Sequence, residues 1–342
     1  LNIFEGEDEN VWLRALNAQA FDVARGLLPA GVTTNLAWTG TLRNIRDNLE
    51  RMQRHDLFEV RNIADTILAN LAEKYPSTFT QAKQEYSEVY DWINDAEHAL
   101  NFTTTSALVL ENNPETISQV YVKMTTPENH QVGFDFNDVY RTALGLLEDR
   151  PKGAQVPYNF NAAAQFYISG YVDFGGWRDL QRHRAGITLF PKLNLNFLIH
   201  PWYQNFFDNY LSSELKTKLE NTLQHLHIIL ANEMARSACD ENKLNREECA
   251  LEFSNSHSAY QYLLPIGSVV KINQTFGLAS LIYMLETRTS STVHPIVRKY
   301  ALNVAQQFLD ILPSKISLYI GKDYEGSIHR GTQTIISSEK DM

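Results

Sequence analysis

The sequence predicts an α+β protein in which helices outnumber strands. Apolar residues recur at three- and four-residue spacing through most of the 342 residues, as in amphipathic helices, whereas only a few short runs indicate strands. A block of the chain also recurs about 236 positions later, which predicts that part of the fold is built twice.

The first third of the chain predicts four helices. Pro29 and Gly31 end the first helix. Thr39 or Thr41 caps the second, which runs through Arg51. The other predicted ranges are 11–28 for the first helix, 57–75 and 82–99 for the third and fourth, and 33–38 for an extended connector between the first two.

The middle of the chain predicts the strands. Apolar runs at 119–124 and 165–172 indicate two short strands, and the segment between them predicts a helix at 137–148. A long helix is predicted at 213–237, and the aromatic-rich segment 193–207 is predicted to be buried.

The internal repeat defines the predicted domains. Leu-Leu-Pro-Ala-Gly at 27–31 recurs as Leu-Leu-Pro-Ile-Gly at 263–267, and the following landmarks recur in the same order. A period this long predicts tandem domains rather than a solenoid. We interpret residues 1–110 as the C-terminal half of a first copy and residues 115–342 as a more complete second copy.

Composition argues against several functional classes. The net charge of −10 argues against non-specific nucleic-acid binding, which requires a basic surface. Two cysteines, Cys239 and Cys249, suggest neither a disulfide framework nor a zinc site, and we expect a cytoplasmic protein without a metal. No apolar run reaches the roughly 18 residues of a membrane helix, and no signal peptide opens the chain. The first residue, Leu1, leaves open that the true start lies upstream.

The most informative stretch is Gly-Gly-Trp-Arg-Asp-Leu-Gln-Arg-His-Arg at 175–184, which follows the apolar run 166–172. A strand that delivers this cluster to a sheet edge builds a cationic pocket, because guanidinium groups present planar donor forks to phosphate or carboxylate. His183 adds a group that can donate, accept or change charge near neutrality. The alternative interpretation is a solvent-exposed helix start whose arginines bind no ligand.

Two segments resemble one known family. The sequence Trp-Arg-Asp-Leu-Gln-Arg-His-Arg at 177–184 resembles the signature of the flavin-dependent thymidylate synthases, in which an Arg-His-Arg triplet follows a strand and holds the flavin. The first repeat resembles the same family through Ala-Arg-Gly-Leu-Leu-Pro at 24–29, Trp-Thr at 38–39 and Arg-Met-Gln-Arg-His at 51–55.

The resemblance implies a helix-rich fold like that of the thymidylate synthase complementing proteins, in two tandem copies of which the first is incomplete. It implies that Arg25 and Arg51 contact uridylate as substrate-binding and catalytic residues, and that His55 lies against the flavin. Arg288, at the position of Arg51 in the second copy, is implied to bind substrate. The implied flavin-binding residues of the second copy are Arg178, Arg182, His183 and Arg184.

The implied activity is the reductive methylation of dUMP to dTMP. FAD is the implied cofactor, with NADPH and methylenetetrahydrofolate as co-substrates. In the family, active sites form where subunits of a homotetramer meet. We therefore expect a homo-oligomer, a pseudo-tetramer built from tandem copies, in which residues 182–184 face Arg25, Arg51 and His55.

Several positions depart from the family pattern. The Ser and Arg residues that should follow Arg184 are missing, and other family residues are replaced by Thr41, Gln261, Gly277 and Thr292. These departures favour an alternative, a catalytically inactive flavin- or nucleotide-binding paralogue with a structural or regulatory role. A third interpretation is a helical scaffold whose cationic pocket is incidental.

Overall fold

The structure, a computed structural model, describes residues 8–55, 57–79, 114–126, 136–189, 193, 197–240, 258–321, 328–330 and 333–335. The predicted helix at 82–99 lies outside these residues. Among the residues described, no helix is long and apolar enough to cross a membrane.

The first part of the chain is helical, as predicted. The side chain of Asp8 caps α1 by accepting from the backbone N–H groups of Asn10 and Val11. Thr41, one of the two predicted caps, accepts from the N–H of Asn44 at the start of α2. The helices of this part are α1 (Glu9–Arg25), α2 (Leu42–Met52), α3 (Phe58–Lys74) and α4 (Pro76–Phe79).

The second part mixes helices with short strands. The strands predicted at 119–124 and 165–172 and the helices predicted at 137–148 and 213–237 are confirmed. The elements in order are α5 (Pro114–Ser118), β1 (Val120–Thr125), α6 (Phe136–Glu148), a 3₁₀ turn (Tyr158–Ala162), β2 (Gln165–Asp173), α7 (Phe174–Leu180), β3 (Ile187–Thr188), α8 (Pro201–Tyr210), α9 (Ser213–Asp240), a second 3₁₀ turn (Ser258–Leu263), β4 (Val269–Gly277), α10 (Leu278–Arg288), α11 (Pro295–Ile311), β5 (Ile328–Arg330) and β6 (Gln333–Ile335).

Four of these strands form one antiparallel sheet in the order β1-β2-β4-β3. β2 and β4 pair over nine residues each and form its centre. Alternate residues of β2, among them Phe166 and Ile168, are buried, and Phe166 meets the ring of Phe308 on α11 at 5.1 Å between centroids. The helices α10 and α11 belong to the same hydrophobic core, which agrees with the predicted α+β class.

A second, smaller cluster holds the first part together. Leu49 on α2, Ala64 and Leu68 on α3, and Phe79 on α4 are buried against one another, apart from the main core. α1 joins the main core instead, through Val23.

The helices that follow the repeated block match in extent. α2 and α10 both have eleven residues and begin 236 positions apart, after Thr41 and Gly277. α3 and α11 both have seventeen residues and begin 237 positions apart. The offset of 236 therefore holds to the ends of α2 and α10, and the extra residue of the second repeat lies between α10 and α11 rather than before Arg288.

The repeated Leu-Leu-Pro segments also pair with each other. Pro29 and Pro265 form an isolated antiparallel bridge. On either side of it, the Ala30 N–H donates to the Leu264 carbonyl at 2.7 Å and the Ile266 N–H donates to the Leu28 carbonyl at 2.8 Å. Because equivalent residues exchange equivalent hydrogen bonds, this pairing has the form of a local two-fold axis. We call the paired segments 26–31 and 262–267 the seam.

Candidate ligand-binding site

Asp173 positions the cationic stretch. It is the last residue of β2, and its Oδ1 accepts from the backbone N–H of Gly176 at 2.9 Å, which caps α7. A Cβ at Gly176 would lie 2.6 Å from that same oxygen, so this close approach requires glycine. The strand therefore delivers α7 and residues 181–184 to one end of the sheet.

The carboxyl group of Asp173 is buried and pairs with Tyr203 on α8. The Tyr203 hydroxyl donates to Oδ2 at 2.8 Å. Burial raises the pKa of Asp173 to about 6, although the hydrogen bonds from Tyr203 and Gly176 and the charge of Arg25 act in the opposite direction. Burial and the neighbouring carboxylate likewise raise the pKa of Tyr203, which therefore stays protonated as the donor.

Tyr203 also links this pair to the seam. A Cβ at Gly26 would lie 2.4 Å from the Tyr203 ring, and one at Gly267 would lie 2.9 Å from it. The tyrosine ring thus packs against both segments of the seam, and its hydroxyl donates to Asp173. The position of α7 is coupled in this way to the pairing of the two repeats.

A cavity of about 510 Å³ opens beside α7. Arg25 reaches it from the C-terminal end of α1 and forms an ion pair with Asp22, with Nε 3.7 Å from the carboxylate. Both signs of charge line the cavity, so it offers two guanidinium groups and three carboxylates to one ligand. The lining residues are Asp22, Arg25, Asp179, Glu286, Thr287, Arg288, Ser290, Thr292, Val293 and His294.

Arg288 and His183 are in direct contact. The Arg288 Nε donates to Nε2 of His183 at 2.7 Å, and its Nη2 donates to the Asp179 carbonyl at 2.7 Å. Burial, and secondarily the charge of Arg288, lowers the pKa of His183 to about 4. The imidazole is therefore neutral at pH 7 and accepts at Nε2, which places its proton on Nδ1.

The three arginines of the cationic stretch point outward. Arg178, Arg182 and Arg184 are exposed, and Arg182 lies 3.8 Å from the Asp179 carboxylate. Three guanidinium groups within seven residues fit the phosphates of a flavin dinucleotide. His183 fits that ligand less well, because its Nε2 already accepts from Arg288.

The remaining predicted residues lie elsewhere. Arg51 and His55 are exposed at the end of α2 and just beyond it, and neither is among the described residues that line the cavity. The structure brings Arg25, Arg288 and the α7 segment together at this cavity. The roles predicted for all of these residues remain predictions.

Sequence reasoning missed several residues around the cavity. Asp173 carried a usable signal, because an aspartate between an apolar run and a Gly-Gly pair is typical of a helix N-cap. Tyr203 and Glu286 carried none, because their positions depend on packing between distant segments.

Gly277, one of the departures from the family pattern, has a structural explanation. The Asn161 side chain occupies the space where a side chain at Gly277 would stand, 2.5 Å from the ideal Cβ position. Its Oδ1 accepts from the N–H of Ser280 at 3.0 Å and so caps α10 from the neighbouring 3₁₀ turn. An asparagine side chain therefore caps this helix from outside it.

Comparison with known proteins agrees with the resemblance over part of the chain. The family model described as thymidylate synthase complementing protein matches residues 7–77. Two curated relatives, each named UPF0159 protein, match most of the chain. The one from Chlamydia muridarum (strain MoPn / Nigg) is 22% identical over 347 residues, covering 92% of this chain and 60% of the relative. The one from Chlamydia pneumoniae is 22% identical over 336 residues, covering 89% and 57%.

The chain spans less than two thirds of the length of these relatives. Over residues 7–77 it is similar to the thymidylate synthase complementing protein family.

Proposed function

We propose that the protein is a FAD-dependent thymidylate synthase-like enzyme that converts dUMP to dTMP with methylenetetrahydrofolate and NADPH. One observation carries the proposal. The segment that matches the family contributes Arg25 to the same cavity that Asp179 of α7 and Arg288 of α10 line. We further propose that it acts in the cytoplasm as a homo-oligomer.

The protein groups would bind and orient anionic ligands. In the proposal, Arg178, Arg182 and Arg184 hold the phosphates of FAD, and Arg25 and Arg288 hold the uridylate. When bound, reduced FAD supplies the hydride of the methylation. The chain itself contributes charge and orientation, which are effective in a partly closed cavity because screening by water is weaker there.

Arg51 and His55 keep their proposed roles, Arg51 beside the pyrimidine ring and His55 against the flavin. Both lie in the matched segment 7–77 but outside the lining of the described cavity. Their proposed roles therefore have to be tested by mutating Arg51 and His55 themselves.

The second candidate is a catalytically inactive flavin- or nucleotide-binding paralogue. Two observations favour it. The segment 185–193 lacks the Ser and Arg residues that the family pattern requires, and the hydrogen bond from Arg288 occupies the ring nitrogen of His183. Such a protein would bind the same ligands without turnover.

The visible spectrum and an anaerobic assay separate these candidates. Flavin bands in the purified protein, together with dTMP formed from dUMP, methylenetetrahydrofolate and NADPH, are the result expected of the enzyme. Flavin without dTMP would identify the inactive paralogue. A colourless protein that takes up no added FAD would contradict both.

The contribution of Arg25 is tested by comparison with Arg14 on the same helix. Arg14 is exposed and donates to the Asn10 carbonyl within α1. We expect Arg25→Ala to weaken dUMP binding by roughly tenfold or more, the loss of a charge-assisted hydrogen bond. Arg14→Ala should leave binding unchanged. Equal dUMP affinity in both variants, measured by calorimetry, would remove Arg25 from the site.

A further inference from the structure

The segment 33–41 is the repeat equivalent of β4, yet it lies in no sheet. β4 occupies 269–277, which is 236 positions further along, and it pairs with β2 on one side and β3 on the other. Residues 33–41 have no regular secondary structure and every one of them is exposed. Among the described residues, no strand pairs with this segment.

The side chains of 33–41 are also more exposed than their equivalents in β4. Leu36 is 88% exposed, whereas its equivalent Ile272 is 0% exposed in the centre of the sheet. Trp38 is 42% exposed and its equivalent Gln274 is 3% exposed. A large apolar side chain at alternate positions is typical of a strand with one buried face. The alternation in 33–41 therefore predicts a buried face that the described chain does not cover.

The helices that follow show the same difference. Leu42 on α2 is 36% exposed and its equivalent Leu278 on α10 is 0% exposed. Ile63 on α3 is 44% exposed and its equivalent Tyr300 on α11 is 3% exposed. In the second repeat this face of the helices belongs to the core beneath the sheet. In the first repeat the segment 33–41 and both helices expose it together.

We propose that residues 33–41, α2 and α3 form an open half-unit completed by an antiparallel β-sheet of the β1–β2 type. This sheet would pair with 33–41 by backbone hydrogen bonds, so that its apolar face, with Leu36 as part of it, lies on Leu42 and Ile63. We assign the sheet to polypeptide outside the 342 residues. The relatives have room for it, since the chain covers only 60% and 57% of their lengths.

A second cavity of the same kind as the one beside α7 would follow from this completion. In the second repeat, the strand that pairs with β4 leads into α7, whose Asp179 carbonyl accepts from Arg288. Arg51 lies in the last turn of α2, as Arg288 does in α10. A sheet paired with 33–41 would thus bring its own outgoing segment to Arg51 and His55, which are exposed here. The sheet pairing does not depend on the proposed enzymatic activity.

Hydrogen exchange measured by mass spectrometry tests the pairing. The 342-residue chain and the full-length Chlamydia muridarum relative are compared, with β4 as an internal reference in each. We expect 33–41 to exchange at least a hundredfold faster than β4 in the 342-residue chain. The aligned segment of the full-length relative should be protected to about the level of its β4.

Three other results would overturn the proposal. Rapid exchange of the aligned segment in the relative would make it a surface loop in both proteins. Protection of 33–41 in the 342-residue chain at every concentration would mean that the chain covers the segment itself. Protection that is lost on dilution, and lost in Leu36→Asp but not in the exposed-leucine control Leu215→Asp on α9, would identify a second copy as the occupant.

Discussion

At the residue scale, the buried carboxyl of Asp173 links the stability of the protein to pH. Its pKa of about 6 in the folded protein exceeds the ordinary value of 3.8, so the folded state favours the protonated form. The stabilisation is fully present below about pH 4 and is lost as the pH rises through about 6, in total on the order of 3 kcal/mol. The other ionisable groups add their own dependence to this one.

Asp173→Asn isolates that dependence. The amide keeps one oxygen as acceptor for the N–H of Gly176, and its NH2 group can donate to the hydroxyl oxygen of Tyr203, but it does not titrate. We expect the free energy of unfolding in urea to fall less steeply between pH 4 and pH 7 in the variant than in the wild type. Asp138→Asn, at an exposed position on α6, should keep the wild-type slope. Equal slopes in all three proteins would show that Asp173 does not titrate in this range.

The contact between Arg288 and His183 makes a second prediction at this scale. In Arg288→Ala, the pKa of His183 should rise from about 4, because the nearby positive charge is removed. It should stay below the ordinary value for histidine, since burial is the larger cause. NMR titration of the imidazole measures both effects, with the exposed Arg141→Ala as control. An unchanged pKa in Arg288→Ala would mean that the two side chains do not interact in solution.

At the scale of single elements, α10 depends on a cap from outside its own sequence. Asn161→Ala removes the acceptor of the Ser280 N–H and should lower the free energy of unfolding by about 1 kcal/mol. Gly277→Asn should also destabilise, because its Cβ would stand 2.5 Å from that of Asn161. The double variant should be less destabilised than the sum of the two single variants, as expected of residues in contact. Additive effects in urea unfolding would contradict this assignment of the cap.

Local signals explain which elements the sequence could predict. α1, α2 and α3 were predicted because their apolar periodicity and their flanking residues Thr41 and Pro76 act over a few positions. Residue spacing does not predict β4, and the connector predicted at 33–38 lies within the repeat equivalent of β4, 33–41. The difference between these two segments lies in their neighbours, because β2 reaches β4 from about a hundred residues away.

The residues of the candidate site could likewise be predicted only where a short sequence motif contains them. The arginines of the cationic stretch and Arg25 were found from short motifs. The meeting of Arg25 with Arg288 depends on the seam, and the Asp173–Tyr203 pair depends on the position of α8. Long-range packing of this kind leaves little trace in residue spacing. The division into copies at 1–110 and 115–342 remains a prediction.

At the scale of the whole molecule, the seam is expected to be sensitive to small changes. Gly26 has an ordinary helical φ of −61°, so a side chain there is opposed by contact alone. In Gly26→Ala, the added methyl group would meet the buried ring of Tyr203 at 2.4 Å. We expect a loss of roughly 1–3 kcal/mol in the free energy of unfolding, as for other overpacked sites.

Gly145 on α6 provides the matched control. It is exposed within a helix, and a Cβ there would meet nothing within 4 Å. Gly145→Ala should therefore stabilise by about 0.5–1 kcal/mol, the helical preference of alanine over glycine. If Gly26→Ala behaved like Gly145→Ala, the seam would be looser in solution than the hydrogen bonds across it indicate.

The seam also bears on how freely the two repeats can diverge. At the two-fold axis of a homodimer, one substitution changes both halves of the interface at once. Here the two segments of the seam are different parts of one chain and can change independently. Position 26 can therefore remain glycine while its equivalent, position 262, is tyrosine. The neighbouring positions show the same freedom, with Arg25 facing the cavity and Gln261 accepting from the N–H of Leu193. Covalent linkage thus allows one segment of a nearly symmetric pair to carry a charged residue at the cavity while the other becomes part of the framework.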